Sequence, residues 1–250
     1  MPVPLAHVPL ARALSKLGFA SRAAARTLIE NGRVRVDGRL VTDPAMSVVP
    51  ERSVIAIDDV VQRREPRRII AFHKPRGVIT TTRDPDGRRT VFDVVGTAGR
   101  GLIAVGRLDL ASTGLLLLTN DTRLAAALTD PARRIPRRYV VTVRGRVDPG
   151  GVTRMREGID VPAPRGGTER LSAQAIEIRK SSARETHMLV TLVEGRNREI
   201  RRLFEAIGHD VTRLHRIAFG GVTLGTLQPG QFIELKLDAL MREIGELHDR

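Results

Sequence analysis

The sequence predicts an α+β protein, with a small basic unit at the N-terminus and a larger domain built on a mixed, mainly antiparallel β-sheet with flanking helices. Three observations predict it. From residue 69 onward short apolar runs outnumber helical patterns, and too few helices separate them for a regular strand–helix–strand alternation. The chain has 250 residues, 41% of them hydrophobic, enough for a sizeable core. Its formal net charge is +14, which points to a polyanionic partner through steering and counterion release.

The first domain is expected over residues 1–60. Leu10, Ala13, Leu14 and Leu17 have helical spacing, and Gly18 ends that helix. Ser21 suits the N-cap of a second helix through Leu28 and Ile29, which stops at Asn31-Gly32. Val34 and Val36 alternate as a strand, Asp37-Gly38 makes a hairpin turn, and Leu40-Val41 returns. Val54, Ile55 and Ile57 form another strand. Arg12, Lys16, Arg22, Arg26, Arg33 and Arg35 face a single acid, Glu30, across the two helices and their junction. Such a basic helical face suits an RNA backbone.

Residues 61–68 carry Gln62-Arg63-Arg64-Glu65-Pro66-Arg67-Arg68, a charged, proline-broken linker. The second domain is expected over 69–250. Its strand candidates are Ile69 to Phe72, Leu102 to Val105, Leu115 to Leu118, Tyr139 to Val143, Ala173 to Ile178, Met188 to Val193, Val211 to Leu214 and Phe232 to Leu235. Helix starts are expected at Asp121, Asp148, Arg196 or Asn197, and Asp238.

Composition removes several kinds of chemistry. There is no cysteine, hence no disulfide, thiolate zinc site or cysteine nucleophile. Six scattered histidines offer no metal-ligand spacing, so no metal site is expected. The apolar run Leu102 to Leu118 is interrupted by Arg107 and Asp109, too early for a membrane span, and no signal-peptide pattern opens the chain. A cytoplasmic protein without a membrane partner is expected.

The most telling segment is Gly106-Arg107-Leu108-Asp109-Leu110-Ala111-Ser112-Thr113-Gly114 followed by Leu115-Leu116-Leu117-Leu118. It sets one carboxylate between two buried strands, where an acid needs a nearby cation to stay ionised. A later segment offers one. On a helix, Ile200, Leu203, Phe204 and Ile207 form an apolar stripe; Arg201 sits at its edge, while Arg198 and Arg202 point away as a solvated basic face fit for phosphate.

Four segments in order resemble the pseudouridine synthases, specifically the small-ribosomal-subunit synthase A family. They are His73-Lys74-Pro75-Arg76-Gly77-Val78, the Gly106 to Asp121 run, Arg138-Tyr139-Val140-Val141, and Glu194-Gly195-Arg196-Asn197-Arg198-Glu199-Ile200-Arg201-Arg202. Leu14-Ser15-Lys16-Leu17-Gly18-Phe19-Ala20-Ser21-Arg22 and Leu28 to Gly38 resemble the S4 RNA-binding domain, with Pro9 in place of the basic residue that often opens it. The resemblance implies isomerisation of a ribosomal RNA uridine without a cofactor. Asp109 would act on the ribose, Tyr139 would stack on the uracil, and Arg201 would pair with Asp109. Arg107 would fill the gap left by a flipped-out base. Lys74 and Arg76, around Pro75, would contact RNA phosphate or orient their loop over the cleft. The stretch Arg83-Asp84-Pro85-Asp86-Gly87-Arg88-Arg89-Thr90-Val91 resembles the large-subunit branch. Glu199 stands where the family more often has glutamine, and is expected on the flank of the stripe opposite Arg201. The partner implied is ribosomal RNA or a ribosome-assembly intermediate, met by a monomer. The alternative is a non-catalytic S4-type assembly factor, which should show damage at Asp109, Tyr139 or Arg201; none is present.

Overall fold

A computed structural model describes residues 7–50, 52–62, 66–164 and 166–236. The chain divides into two units at Pro66/Arg67. Part of the expected linker and the helix expected at Asp238 lie outside the described residues.

In the first unit, β1 (Val8–Pro9) leads into α1 (Leu10–Lys16), and α2 (Arg22–Glu30) follows a short turn. The Ser21 hydroxyl accepts the Ala24 N–H, capping α2 as its position predicts. Then come β2 (Val34–Val36), β3 (Arg39–Val41), β4 (Ser47–Val48), β5 (Ile55–Ile57) and β6 (Val60–Val61). The sheet order is β3-β2-β5-β6, with β1 paired to β4. Leu10, Leu14, Ile29, Val34 and Ile55 are buried where the helix pair meets the sheet. Strand β6 occupies the start of the stretch read as linker.

The second unit runs β7 (Ile69–Lys74), α3 (Val91–Val95), β8 (Ile103–Val105), β9 (Thr113–Thr119), α4 (Thr122–Thr129), β10 (Arg137–Arg144), α5 (Pro149–Glu157), β11 (Ile159–Pro162), β12 (Thr168–Leu171), β13 (Ala175–Ser181), β14 (Glu185–Leu192), α6 (Glu199–Glu205), β15 (Val211–Phe219), β16 (Val222–Thr223) and β17 (Phe232–Glu234). Its main sheet has the order β13-β14-β10-β15-β9-β7-β17, with β8 on β9 and β16 on β15. Only β15 and β9 pair in parallel; the other pairings are antiparallel, so the sheet is mixed as expected.

Both faces of this sheet are covered, which explains the unbroken leucine run in β9. Leu116 and Leu118 join Ile70, Phe72 and Val141 in one core; Leu115 and Leu117 join Ile69, Leu124 and Leu128 in the other. Asp121 caps α4 through the N–H groups of Arg123 and Leu124, and Asp148 caps α5. Two features escaped the sequence reading. Helix α3 is set by a reciprocal cap between Thr90 and Asp93, and β11 and β12 form a separate hairpin. Helix α6 also starts at Glu199, later than expected, after a turn whose last residue Arg198 has φ 49°.

Candidate active site

The loop between β8 and β9 carries Asp109, and a second segment holds it from behind. Lys74, at the end of β7, has no exposed surface. Its Nζ donates to the carbonyl oxygens of Pro75 (3.1 Å), Asp109 (3.1 Å) and Ser112 (2.8 Å), one for each ammonium proton. Gly77 N–H donates to Leu110 O at 2.9 Å, and the buried Thr80 hydroxyl bonds both N–H and C=O of Leu108. The loop backbone around Asp109 is therefore fixed while its side chain remains 37% exposed. Lys74 is thus not an RNA-phosphate ligand, contrary to one expectation, since its charge is spent on the loop carbonyls. Burial pulls its pKa down to about 8, opposed by the attraction of Asp109.

Asp109 opens on a cavity of about 340 Å³. The sheet supplies its floor. Period-two alternation along β10 turns Arg137 and Tyr139 inward, and Arg216 on β15 is the register partner of Tyr139. Tyr139 is 8% exposed. Arg137 Nη1 donates to the carbonyls of Ile135, Val193 and Glu194 and Nη2 to that of Leu128, and the guanidinium lies over the Phe219 ring at 4.8 Å. Burial and the neighbouring Arg216 depress its pKa, while Tyr139 and Glu199 oppose them.

The start of α6 supplies the facing wall. Arg201 Nε stands 4.0 Å from Asp109 Oδ2, and its Nη1 donates to Val211 O at 2.9 Å. Burial lowers the Arg201 pKa, as does repulsion from Arg198 and Arg76; Asp109 opposes them. Arg76 and Arg198 are exposed, as is Arg107, which lines the cavity with Arg198. The structure therefore brings Arg76, Arg107, Asp109, Tyr139, Arg198 and Arg201 together.

Two expectations about α6 are corrected. Arg202 is not a solvated arginine: its side chain is 12% exposed, pairs with Glu169 and donates to Pro162 O, pinning the β11–β12 hairpin. Glu169 is held below the usual carboxylate range mainly by its bonds to Arg196 and Arg202. Glu199 does not lie away from the cavity but lines it, 3% exposed, with Oε2 accepting the Arg196 N–H at 3.0 Å. Desolvation raises its pKa to about 7.

Among the described residues, four buried side-chain polar atoms have no hydrogen-bond partner: Ser112 Oγ, Glu199 Oε1, Arg201 Nε and Arg216 Nη2. Ser112, Glu199 and Arg216 line this cavity, and Arg201 faces Asp109 across it. Orphaned buried polar groups are costly, so their concentration here marks a site awaiting a polar ligand. Sequence reasoning missed Arg137, Arg216 and Ser112, although strand alternation through Tyr139 and through Leu214 carried the signal for both arginines. Among the described residues, no cluster of His, Asp and Glu is placed to hold a metal ion, and no helix is long and apolar enough to cross a membrane.

In the first unit, Arg12, Arg22 and Arg26 are exposed around a shallow cleft floored by Pro9, Pro44 and Ala45. Arg26 also pairs with Glu30 at 2.9 Å. Lys16 is half-buried in α1. Glu30 is not the sole acid at this surface: Asp58 binds Arg33 through two hydrogen bonds, and Asp59 binds Arg35. The Arg33 pKa rises and the Asp58 pKa falls through that pairing.

Residues 68–206 match the model of the RNA pseudouridylate synthase family, and residues 8–54 match the S4 domain. The chain belongs to the RNA pseudouridine synthase family. It is 35% identical over 243 residues to an uncharacterized RNA pseudouridine synthase of Aquifex aeolicus (strain VF5), covering 96% of each. It is 36% identical over 247 residues to the ribosomal large subunit pseudouridine synthase B of Yersinia pestis, covering 95% of this chain and 76% of that protein. A crystal structure of a pseudouridylate synthase superposes with a TM-score of 0.66 at 27% identity, over 96% of this chain and 99% of the other. The enzyme isomerises uridine to pseudouridine in RNA.

Lys74→Met takes the donor from three backbone carbonyls, one buried and two part-buried, and is expected to destabilise the protein by about 3 kcal/mol in urea unfolding. For Glu199, the folded protein retains a proton that the unfolded chain releases above pH 4.5, so its contribution to stability falls as pH rises from 4.5 to about 7. Glu199→Gln cannot ionise. Relative to that variant, wild type is expected to lose about 3 kcal/mol between pH 4.5 and pH 8.5, measured by urea unfolding at both pH values.

Proposed function

We propose that this enzyme acts on a uridine of large-subunit ribosomal RNA, free or within an assembly intermediate, as a cytoplasmic monomer. The Asp109 carboxylate acts on the ribose, Tyr139 stacks on the uracil, and Arg201 pairs with Asp109. One observation carries the assignment: a partly exposed carboxylate on an otherwise immobilised loop, opening on a cavity with Tyr139 and facing Arg201 at 4.0 Å. At 4.0 Å the arginine attracts the carboxylate without binding its oxygens, which leaves them available to the sugar. The name of the Yersinia pestis relative supports the large-subunit choice.

In this reading the carboxylate adds at C1′ or takes the C2′ proton, and the C1′–N1 bond breaks. The uracil turns and C5 bonds to C1′, displacing the Asp109 oxygen on the first route or with the proton returned to C2′ on the second; the C5 proton then leaves and N1 gains one. Arg107, Arg198 and Arg76 at the mouth hold the phosphates flanking the extruded nucleotide. Arg12, Lys16, Arg22 and Arg26, with Arg33 where its partner Asp58 releases it, dock the S4 domain on folded RNA.

Pseudouridine mapping on unmodified large-subunit rRNA tests the reading. Wild type is expected to produce one new carbodiimide-dependent stop that Asp109→Asn abolishes while RNA affinity stays within about threefold. Arg201→Leu should slow the reaction at least tenfold. A stop only on another RNA class would overturn the large-subunit assignment, and normal turnover by Asp109→Asn would overturn the site. RNA affinity should also fall with salt, and Arg12→Ala or Arg22→Ala should each reduce the log–log slope by about 0.7 on single strands.

A further inference from the structure

We propose that Arg216 is a catalytic residue that stabilises the uracil as it leaves the ribose, through a hydrogen bond from Nη2 to a uracil carbonyl oxygen. The inference rests on the reading of the cavity beside Asp109 as the reacting site.

Arg216 is 2% exposed in the cavity floor, and its geometry is fixed on three sides. Nε donates to Leu115 O at 2.6 Å. The guanidinium lies 5.2 Å from the centre of the Phe219 ring. Its backbone packs against Gly114, where an added Cβ would lie 2.2 Å from Arg216 O, so only glycine lets β9 approach this closely. Nη2 alone is buried with no acceptor. Arg137, 4.8 Å from the centre of the same ring, differs in this respect, because both of its terminal nitrogens donate to backbone carbonyls. An arginine that is always protonated and carries one unused buried donor fits an acceptor that acquires negative charge.

The reaction produces such an acceptor. When C1′–N1 breaks, its electron pair stays on N1 and delocalises onto O2 and O4 of the departing uracil. No other charged product is buried at the floor. The RNA phosphates stay with the backbone, at the mouth, where Arg107 and Arg198 are exposed. Tyr139, the register partner of Arg216 on the same sheet face, is placed to support the ring whose carbonyl Arg216 meets. A preorganised donor aimed at charge that develops only in the transition state raises rate more than it raises affinity.

Single-turnover kinetics on the RNA that wild type modifies test this, with the target nucleotide as uridine or 5-fluorouridine. Disappearance of the target nucleoside is followed by mass spectrometry after digestion. Fluorine makes uracil a better leaving group, so it should replace part of the help Arg216 gives. Arg216→Met is expected to slow uridine consumption about 100-fold, with RNA affinity changed less than about threefold. On 5-fluorouridine the defect should shrink at least tenfold, and Arg216→Lys should recover part of the rate. A purely structural role would slow both substrates by the same factor, and that result overturns the proposal. A wild-type rate in Arg216→Met with Asp109→Asn inactive overturns the proposal alone. A normal rate in Asp109→Asn removes the site reading and the proposal with it.

Discussion

The Lys74 ammonium is the interaction on which the site depends. Its three protons meet three backbone carbonyls, two of them in the loop that carries Asp109. A buried cation is tolerated only when its hydrogen bonds are made, and buried carbonyls only when something donates to them. Each half of this arrangement therefore requires the other. The consequence is an Asp109 loop whose backbone is fixed, through Lys74, Gly77 and Thr80, to the end of β7 and the segment that follows it, while its carboxylate stays partly exposed. In the first family segment, Lys74 and Gly77 clamp this loop, and Arg76 beside them is left exposed.

The rest of the cavity follows the opposite rule. Away from it, polar side chains such as Arg202 and Asp121 are satisfied, the first by the β11–β12 hairpin and the second by the start of α4. Around it, four buried polar atoms are left without partners. The unmet hydrogen bonds are thus gathered at the cavity on which Asp109 opens, where the proposed function seats the nucleotide. Glu199 belongs to this set. Its pKa near 7 records a carboxylate with one oxygen bonded in a turn and the other left dry.

Much of this was legible in the residue order. The leucine run named the central strand, Asp121 and Asp148 named two helix starts, and Asp109, Tyr139 and Arg201 converge across more than ninety residues of sequence. What was not legible has a common physical cause. Lys74 sits among polar loop residues and reads as exposed; only the tertiary arrangement turns three carbonyls toward it. Arg202 points off the apolar stripe of α6 and reads as solvated, because the β11–β12 hairpin that receives it was not foreseen. Glu199 was judged from helix spacing alone, but as the first residue of α6 its side chain folds back onto the preceding turn. Arg137 and Arg216 were readable from strand alternation, yet an arginine on an inward face is the residue that composition-based expectation assigns outward.

The central claim is that Asp109 meets the ribose of a uridine held in this cavity. A crystal structure of the Asp109→Asn protein with its RNA substrate tests it most directly. The account predicts an extruded uridine with its base against Tyr139 and C1′ or C2′ about 3–3.5 Å from the side-chain oxygen at position 109. A uridine bound elsewhere, or seated here with its ribose turned away from position 109, would contradict it.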